Sequence, residues 1–414
     1  MWAGSSGNDG CRSAARRVRT HRNTNIKTVM NMKIKKLSSL LLAGLFVLGA
    51  CSESPESAPG ADDDDSAGLD YTAANAESWG NYMVRVAALL RKDAADLHAA
   101  WQTSCQGGAP FAEIFKRHTG GGYTSAMSCV EQIIEGCADI ANEVGTSKIG
   151  DPYNLYRSGD RKSALYAVES WYSWHSRDDY ANNILSIRNA YFGSRDGQVA
   201  EASISALVAE ADPALDERVK AAVATAHTKI LDISQPFRNN IASAATVEAM
   251  NACADLEGVL TGALKNAVAA LSSRETALQA VVENFVDNVV LPTYAELSAR
   301  NAALYQAVAA FKAAPSDAAF AEAARAWLEA REPWECSEAF LFGPVDALGL
   351  DPNMDSWPLD QDAIVQLLNS GNYDGLDWTD GDDEDAVEAV QSVRGFHTLE
   401  FLLFKDGKPR TVNN

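Results

Sequence analysis

The chain has 414 residues, which allows a large core and suggests two domains, and its hydrophobic content of 47% is ordinary for a globular protein. The net charge is −21, but residues 1–50 hold nine Lys or Arg residues and one acidic residue, so the remainder has a net charge of −29. Such acidity argues against nucleic acid as a partner, because nucleic acid requires a basic surface. It suits cationic ligands, although solubility alone explains much of the charge.

The first 70 residues are predicted to form a targeting region. Residues 1–31 are basic and patternless and are expected to lie upstream of the true start. Residues 32–50 have three lysines followed by an apolar run too short to span a bilayer as a helix, which is typical of a secretory signal peptide. The run ends in Leu48-Gly-Ala-Cys51, which looks like a bacterial lipobox and predicts a lipid on Cys51. Residues 51–70 are rich in Ser, Pro and Asp and predict an acidic, disordered tether.

From residue 71 onward, the apolar residues recur with a helical period of 3.6. Helices are predicted at about 73–101, 125–144, 216–231, 246–271, 277–312, 318–330 and 384–404. Glycines at 145, 193 and 343 predict helix ends, and Pro292 predicts a kink. Long helices joined by modest loops predict an all-α fold built from antiparallel bundles.

An oxidising compartment would allow one or two disulfides. If Cys51 carries lipid and residues 1–31 are absent, five cysteines remain, and Cys105 with Cys129 is one conceivable pair. The pairing cannot be deduced from spacing, and no C-x-x-C metal motif is present.

The stretch Arg394 to Phe404 carries the most informative pair of residues. His397 and Glu400 are three residues apart and therefore share one face of a helix. The surrounding residues are apolar, which predicts burial, so Glu400 needs a cation, a metal or a hydrogen-bond donor beside it. Gly395 is expected to leave room for a neighbour or ligand. A hydrogen bond between His397 and Glu400 that only satisfies the core is the structural alternative.

A second polar patch covers residues 169–180. On a helix its carboxylate and hydroxyl groups form one stripe flanked by tryptophans, which suits ligand binding. The stripe consists of Glu169, Tyr172, Ser173, Ser176 and Tyr180. Hydroxyl groups usually point at water or at the backbone, which is the alternative interpretation.

A third patch covers residues 331–344. Arg331, Glu335 and Glu338 share a helix face, and Trp334 also lies near Glu338. The simplest interpretation is a surface ion pair between Arg331 and Glu335, worth a few tenths of a kcal/mol. Glu338 precedes an apolar run and is therefore expected to be partly buried and to need a partner.

Together these segments resemble the imelysin-like family, whose members are bacterial periplasmic proteins linked to iron uptake. Residues 395–400 match its G-x-H-x-x-E signature, and residues 334–344 are similar to its aromatic-Glu-Phe-x-Phe-Gly-Pro segment. Residues 357–360 are similar to its Trp-Pro-Leu-Asp, and residues 170–193 to its Ser-x-Phe-Ser and Asn-x-Tyr-x-Gly segments. The resemblance covers nearly all of residues 71–410.

The order of these segments differs from the usual family order. Here Ser170 precedes Glu338 and His397, whereas in most members the corresponding segments come in the opposite order. The resemblance therefore implies a circular permutation of two similar antiparallel four-helix bundles with a site at their interface. Residues 71–275 then stand for the usual second half and residues 276–414 for the usual first half.

The leading hypothesis is a lipid-anchored protein that binds iron or another transition metal, zinc included, either free or as a chelate. The expected metal ligands are His397, Glu400 and Glu338. The other expected ligand-binding residues are Glu169, Tyr172, Ser173, Ser176, Arg331, Trp334 and Gly395. The expected location is the outer membrane, on its periplasmic side or at the cell surface, with iron-transport proteins as partners.

Two alternatives remain at this stage. The family was first catalogued as metallopeptidases (M75), but a zincin needs H-E-x-x-H, and here Thr398 follows His397 and Phe401 stands in place of the second His. The protein is therefore expected not to be an enzyme. The other alternative is a bundle that binds a polysaccharide or a protein partner and uses the His–Glu pair only to brace its core.

Overall fold

A computed structural model describes residues 69–378 and 383–412 of the chain. The predicted signal peptide and Cys51 lie outside the described residues, as does most of the predicted tether. At its end, Asp70 forms ion pairs with Lys405 at 2.8 Å and with Arg410 at 2.7 Å. The tether therefore ends before Asp70. None of the helices in the described part of the chain is long and apolar enough to cross a membrane.

Helices make up nearly all the regular structure of the described residues. The α-helices are Ala76–Gln102, Phe111–Lys116, Ala126–Glu143, Gly150–Arg157, Arg161–Tyr166, Ser176–Phe192, Ile204–Ala211, Pro213–Leu231, Ala244–Gly258, Lys265–Ala269, Glu275–Phe285, Leu291–Ala313, Asp317–Glu335, Pro344–Ala347, Leu350–Asp355, Gln361–Ser370, Glu384–Gln391 and Gly395–Leu403. The π-helical segments are Val144–Lys148, Val259–Leu264 and Val286–Val290, and the 3₁₀ turns are Phe237–Asn239 and Glu338–Phe340. Two short strands, Phe404–Lys405 and Lys408–Pro409, pair antiparallel.

The predicted all-α class is confirmed. The two four-helix bundles, their permuted order and the boundary between residues 275 and 276 stay predictions. Between residues 76 and 335 the helical segments predicted from periodicity all correspond to observed helices. Five further α-helices form outside those segments: Phe111–Lys116, Gly150–Arg157, Arg161–Tyr166, Ser176–Phe192 and Ile204–Ala211. Three short helices form between residues 343 and 383.

The predicted helix ends had mixed outcomes. Gly193 adopts a left-handed φ of +65° and ends the helix Ser176–Phe192, as predicted. The predicted stop at Gly145 is wrong, because helical structure continues through a π-helical segment to Arg157. A Cβ atom on Gly145 would lie 2.8 Å from the Cβ atom of Cys253. This glycine therefore allows two helices to approach closely, and it does not end one.

The predicted kink at Pro292 takes the form of a local change in helix type. The π-helical segment Val286–Val290 directly precedes it, and Pro292 lies in the first turn of the helix Leu291–Ala313. Pro is tolerated in a first turn, where its missing N–H group breaks no intrahelical hydrogen bond.

Gly395–Leu403, called the His397 helix below, lies between two long helices. It packs against Ala76–Gln102 and against Asp317–Glu335. The indole N–H of Trp79 donates to the Leu402 carbonyl at 3.1 Å, and that of Trp327 donates to the Phe396 carbonyl at 2.9 Å. All nine residues of the His397 helix are buried, as its apolar sequence predicts.

The described cysteines form no disulfide, neither between Cys105 and Cys129 nor in another pair. These five residues are all free; they are Cys105, Cys129, Cys137, Cys253 and Cys336. The thiol of Cys129 instead contacts the Phe115 carbonyl oxygen at 3.3 Å, and burial raises the pKa of Cys129 to about 12. A buried thiol of this kind behaves as a small apolar residue.

Replacing Arg394, which immediately precedes the His397 helix, is expected to destabilise the fold. Arg394 is 1% exposed and pairs with the buried carboxylate of Asp93. Arg394→Met leaves that carboxylate without its main counterion, which should cost about 3–5 kcal/mol of unfolding free energy in a urea titration. The double variant Arg394→Met/Asp93→Leu should recover most of the loss. Equal stability of wild type and Arg394→Met would contradict this prediction.

Candidate metal centre

The imidazole of His397 lies at the centre of a fully buried polar site. Its Nδ1 atom is 3.2 Å from Oε2 of Glu400. The other oxygen of Glu400 accepts hydrogen bonds from the backbone N–H of Ser173 at 2.8 Å and from the Ser173 hydroxyl at 2.7 Å. Glu400 therefore has the donors that its burial requires.

The opposite side of the ring faces two carboxylates from other segments. The Nε2 atom of His397 is 3.0 Å from Oδ1 of Asp355 and 3.3 Å from Oε1 of Glu169. Trp357 packs edge-on against the imidazole, with ring centres 4.9 Å apart. Glu400 therefore holds one nitrogen of the ring, and the other nitrogen is directed at Asp355 and Glu169.

Arg331 connects this site to further acidic side chains. The predicted surface pair with Glu335 is wrong in one respect, because both side chains are fully buried, with their closest N and O atoms 2.7 Å apart. The guanidinium also pairs with Asp355, with Asp179 at 3.2 Å and with Glu169 at 3.5 Å. Trp334 donates its indole N–H to Oδ2 of Asp355 at 2.7 Å. These contacts fix the carboxylate of Asp355.

Five acidic residues thus converge beside His397; we call them the carboxylate cluster: Glu169, Asp179, Glu335, Glu338 and Asp355. The amine of Lys148 pairs with Glu169 at 2.9 Å and supplies a second permanent positive charge after Arg331. Two groups of three potential metal ligands can be distinguished. The first consists of Glu169, Asp355 and His397, and the second of Glu335, Glu338 and Asp355, with one donor atom from each residue. Within each group the atoms all lie within 4.8 Å of one another.

The charges of the cluster affect its members in opposite directions. Burial alone would raise the pKa of Glu169, but Lys148, the hydrogen bond to His397 and Arg331 lower it to about 2. Arg331 and His397 likewise hold the pKa of Asp355 well below its usual value against the effect of burial. For Glu335 and Glu338 burial dominates and raises the pKa well above its usual value. The cluster therefore contains both firmly ionised and readily protonated carboxyl groups.

The protonation of His397 is set by the carboxylates around it. Burial and the neighbouring Arg331 would lower the pKa of His397, but its hydrogen bonds with Asp355, Glu169 and Glu400 raise it well above its usual value. The imidazolium is therefore the favoured form in the absence of a metal. A metal ion at Nε2 must displace that proton, because only the neutral ring ligates.

The patch at residues 169–180 does not form the predicted continuous helix. Residues 169–174 form a tight turn, with a positive φ at Ser170 and at Trp174, and the helix begins at Ser176. Glu169 and Ser173 nevertheless both reach the site. The Ser176 hydroxyl contacts the Ser170 carbonyl oxygen at 3.4 Å.

Tyr172 belongs to the same turn but points elsewhere. Its hydroxyl accepts a hydrogen bond from Gln361 at 2.6 Å, and its ring packs edge-on against Phe401. The Tyr172 carbonyl also accepts a hydrogen bond from the N–H of Gly407, in the turn between the two short strands, at 2.9 Å. Tyr172 thus ties the turn to the His397 helix from outside the carboxylate cluster.

Gly395 leaves room for a neighbouring group, as the sequence predicts, and that group is the backbone of Met354. It begins the His397 helix with a φ of +89°, and a Cβ atom there would lie 2.5 Å from the Met354 carbonyl oxygen. The missing side chain therefore lets the helix carrying His397 pack directly on the residue that precedes Asp355.

The structure thus groups the predicted ligands differently from the sequence hypothesis. Glu338 shares its group with Glu335 and Asp355, whereas Glu400 lies on the far side of the His397 ring. Sequence reasoning missed Asp355, Lys148 and Asp179. Asp355 lies in a stretch without helical periodicity, two residues before Trp357, and Lys148 follows the glycine that was predicted to end a helix. The Trp-Pro-Leu-Asp segment next to Asp355 is the one signal that could have indicated it.

The imelysin family model matches residues 58–261 and 290–414. The chain belongs to the imelysin family. An imelysin peptidase from Bacteroides ovatus, a solved structure, is 58% identical with a TM-score of 0.83, covering 84% of this chain and all of that one.

A curated relative in this family is the iron-regulated protein A of Synechococcus elongatus, 36% identical over 128 residues, which is 31% of this chain. The match spans about a third of that protein's length, 32%. A structure of a putative iron-regulated protein A precursor from Parabacteroides distasonis is 37% identical, covers 42% of this chain and 52% of that one, and has a TM-score of 0.39.

Substituting Gly395 should disturb both the fold and the candidate metal centre. Gly395→Ala forces a Cβ atom against the Met354 carbonyl at a positive φ, which should cost a few kcal/mol in thermal or urea unfolding. Gly258→Ala is the matched control, because Gly258 has a helical φ of −61° and its added Cβ would contact nothing within 4 Å. That change should stabilise by about 0.5–1 kcal/mol. Equal effects of the two changes would contradict the assigned role of Gly395.

Proposed function

We propose that this protein binds a transition-metal ion, iron in the first place, either free or carried by a chelator. The observation that carries the proposal is the convergence of Nε2 of His397 with carboxylate oxygens of Asp355 and Glu169. Imidazole combined with carboxylates is a donor set that suits iron and zinc. The ion is cargo to be captured and passed on.

The distances within this group support a metal site. Donor atoms bound to one ion at about 2.0–2.2 Å lie roughly 3.0–3.5 Å from each other. The two distances from Nε2, 3.0 Å to Asp355 and 3.3 Å to Glu169, fall in this range. Glu400 then acts on the ring from behind, since a ligating His generally donates its other N–H to a carboxylate that fixes its orientation.

The charge of the site supports the same proposal. Five carboxylates of the cluster face two permanently charged cations, Arg331 and Lys148. Buried carboxylates are costly unless a positive charge or a metal compensates them. A metal ion can supply the missing charge where the two side chains do not.

A route to the site is present on its outer side. An open cleft of about 890 Å³ is lined by Trp357, Asp360, Asp362 and Glu388, among others. Trp357 also packs against His397, so the cleft and the proposed metal centre share this side chain. Acidic side chains at the cleft raise the local concentration of cations.

We name iron first among the candidate metals because of the name of a relative. The curated relative carries the name iron-regulated protein A. A peptidase remains the second candidate, because the Bacteroides ovatus relative is named an imelysin peptidase. Binding is favoured over hydrolysis, since each candidate metal group among the described residues contains at most one His, and zincins need two on one helix.

Metal binding should depend on His397. In calorimetry of chelator-treated protein with Fe²⁺ or Zn²⁺, His397→Ala should weaken binding at least a hundredfold, because the nitrogen ligand is lost. His98→Ala is the matched control, since His98 lies on the helix Ala76–Gln102 and belongs to neither metal group. Unchanged affinity in His397→Ala would sink the proposal. Peptide hydrolysis that is lost in His397→Ala and depends on zinc would favour the peptidase.

We further propose that the protein is an outer-membrane lipoprotein, facing the periplasm or the cell surface, that serves iron transport. The support is the lipobox-like sequence that ends at Cys51. Mass spectrometry of membrane-extracted protein should find an acylated N-terminal fragment that begins at Cys51. Recovery of unprocessed chain that retains Met32, in the soluble fraction, would contradict this expectation.

A further inference from the structure

We propose that Glu335, Glu338 and Asp355 form a second cation position beside His397, so that the protein binds two metal ions that share Asp355. The inference rests on the proposed function, because the first position is the one at His397. The second position differs from the first in its chemistry, since all three of its ligands are carboxylates.

The first observation is the isolation of Glu338. It lies on the 3₁₀ turn Glu338–Phe340 and is 8% exposed, yet its carboxylate makes no hydrogen bond or ion pair with any described residue. The neighbouring polar groups do have partners. The Ser337 hydroxyl donates to the Trp334 carbonyl at 2.7 Å, and the Ala339 N–H donates to the Ser186 hydroxyl at 3.0 Å. A buried carboxylate without a hydrogen bond or ion pair is costly, and a cation beside it would remove that cost.

The second observation is the direction in which Glu338 points. One of its oxygens lies within 4.8 Å of an oxygen of Glu335 and an oxygen of Asp355, and those three oxygens lie within that distance of one another. An ion between them would bring the oxygens inward by small side-chain movements. Carboxylate oxygens alone suit hard ions such as Mn²⁺ and iron.

The third observation is the position of Asp355 between the two groups. Its Oδ1 atom faces Nε2 of His397 at 3.0 Å, while Oδ2 accepts a hydrogen bond from Trp334. A carboxylate with two oxygens can bridge two ions, and two-metal sites hold their ions about 3.5–4 Å apart in this way. Trp334 holds the plane of the carboxylate fixed between the two positions.

Charge favours the second ion. The carboxylate cluster exceeds its permanent cations, Arg331 and Lys148, by three charges, so one divalent ion leaves the cluster negative. Arg331 lies against Glu335 and Asp355 but makes no ion pair with Glu338 among the described residues. Lys148 also acts on Glu338 but forms its ion pair with Glu169, so the Glu338 side has no ion pair of its own among the described residues.

The test is the number of Mn²⁺ ions bound by the full chain after chelator treatment, measured by elemental analysis and electron paramagnetic resonance. Wild type should bind two ions per chain with a spin-coupled signal. Glu338→Gln, which keeps the side-chain shape, should bind one ion and lose the coupling, while the remaining affinity stays within about threefold. His397→Ala should also lose the coupling and keep the ion on the Glu338 side. Glu332→Gln is the matched control, because Glu332 is exposed on the helix Asp317–Glu335 that carries Glu335. This variant should bind two Mn²⁺ ions.

The outcomes separate this inference from the proposed function. One ion per wild-type chain, lost in His397→Ala and kept in Glu338→Gln, would overturn the second position and leave the proposed function standing. No Mn²⁺ in wild type would overturn the second position, and the calorimetry with Fe²⁺ and Zn²⁺ would then decide the proposed function separately. Wild-type stoichiometry decides the matter even if Glu338→Gln fails to fold, which circular dichroism would reveal.

Discussion

The buried guanidinium of Arg331 is the interaction on which the site depends. It joins a carboxylate from its own helix, Glu335, to Glu169 and Asp179 from the segment around residue 176 and to Asp355. The free energy needed to remove these charges from water is about as large as the free energy gained from their attraction. The network is therefore weak evidence for a contribution to stability. Its effect is positional, because one buried guanidinium fixes carboxylates from three separate segments of the chain beside His397.

A fixed arginine also explains why the same residues suit a metal. The guanidinium is planar and cannot reach every carboxylate around it, so it satisfies Asp355 and leaves Glu338 without a hydrogen bond or ion pair among the described residues. Lys148 is likewise committed to Glu169. An ion without directional limits can use the oxygens that these two side chains leave over. The protein thus combines a fixed network of ion pairs with buried carboxyl groups, Glu335 and Glu338, whose charge either a proton or a cation can offset.

The sequence predicts the parts of this structure that depend on local spacing. The i,i+3 relation places His397 against Glu400, and the apolar sequence around them predicts the burial that the structure shows. Periodicity also predicts the long helices. It does not predict which distant segments meet, so Asp355 could not be assigned to His397 from spacing. Gly145 was wrongly predicted to end a helix, because glycine is also favoured where two helices pack closely.

The turn at residues 169–174 shows a further limit of periodicity. The polar stripe expected on a helix is absent, yet Glu169 and Ser173 both reach the site, because a tight turn with positive φ at Ser170 and Trp174 also gathers nearby side chains on one side. Hydroxyl-rich segments compete with helix formation through bonds to their own backbone, as the Ser173 hydroxyl does toward the Ser170 carbonyl at 3.3 Å. The pattern therefore identified residues of the site while giving the wrong backbone.

The acidic groups of the open cleft and those of the carboxylate cluster would act on a cation in different ways, because the first are exposed and the second are buried. Those lining the open cleft, such as Asp362 and Glu388, are solvated, so they attract cations over a distance but hold them weakly. Those of the carboxylate cluster are buried, where the same charges act through a lower dielectric and bind strongly. Trp357 lines the cleft and also touches the imidazole of His397. A cation that reached the cluster from this cleft would therefore move, beside that ring, from solvated carboxylates to buried ones that attract it more strongly.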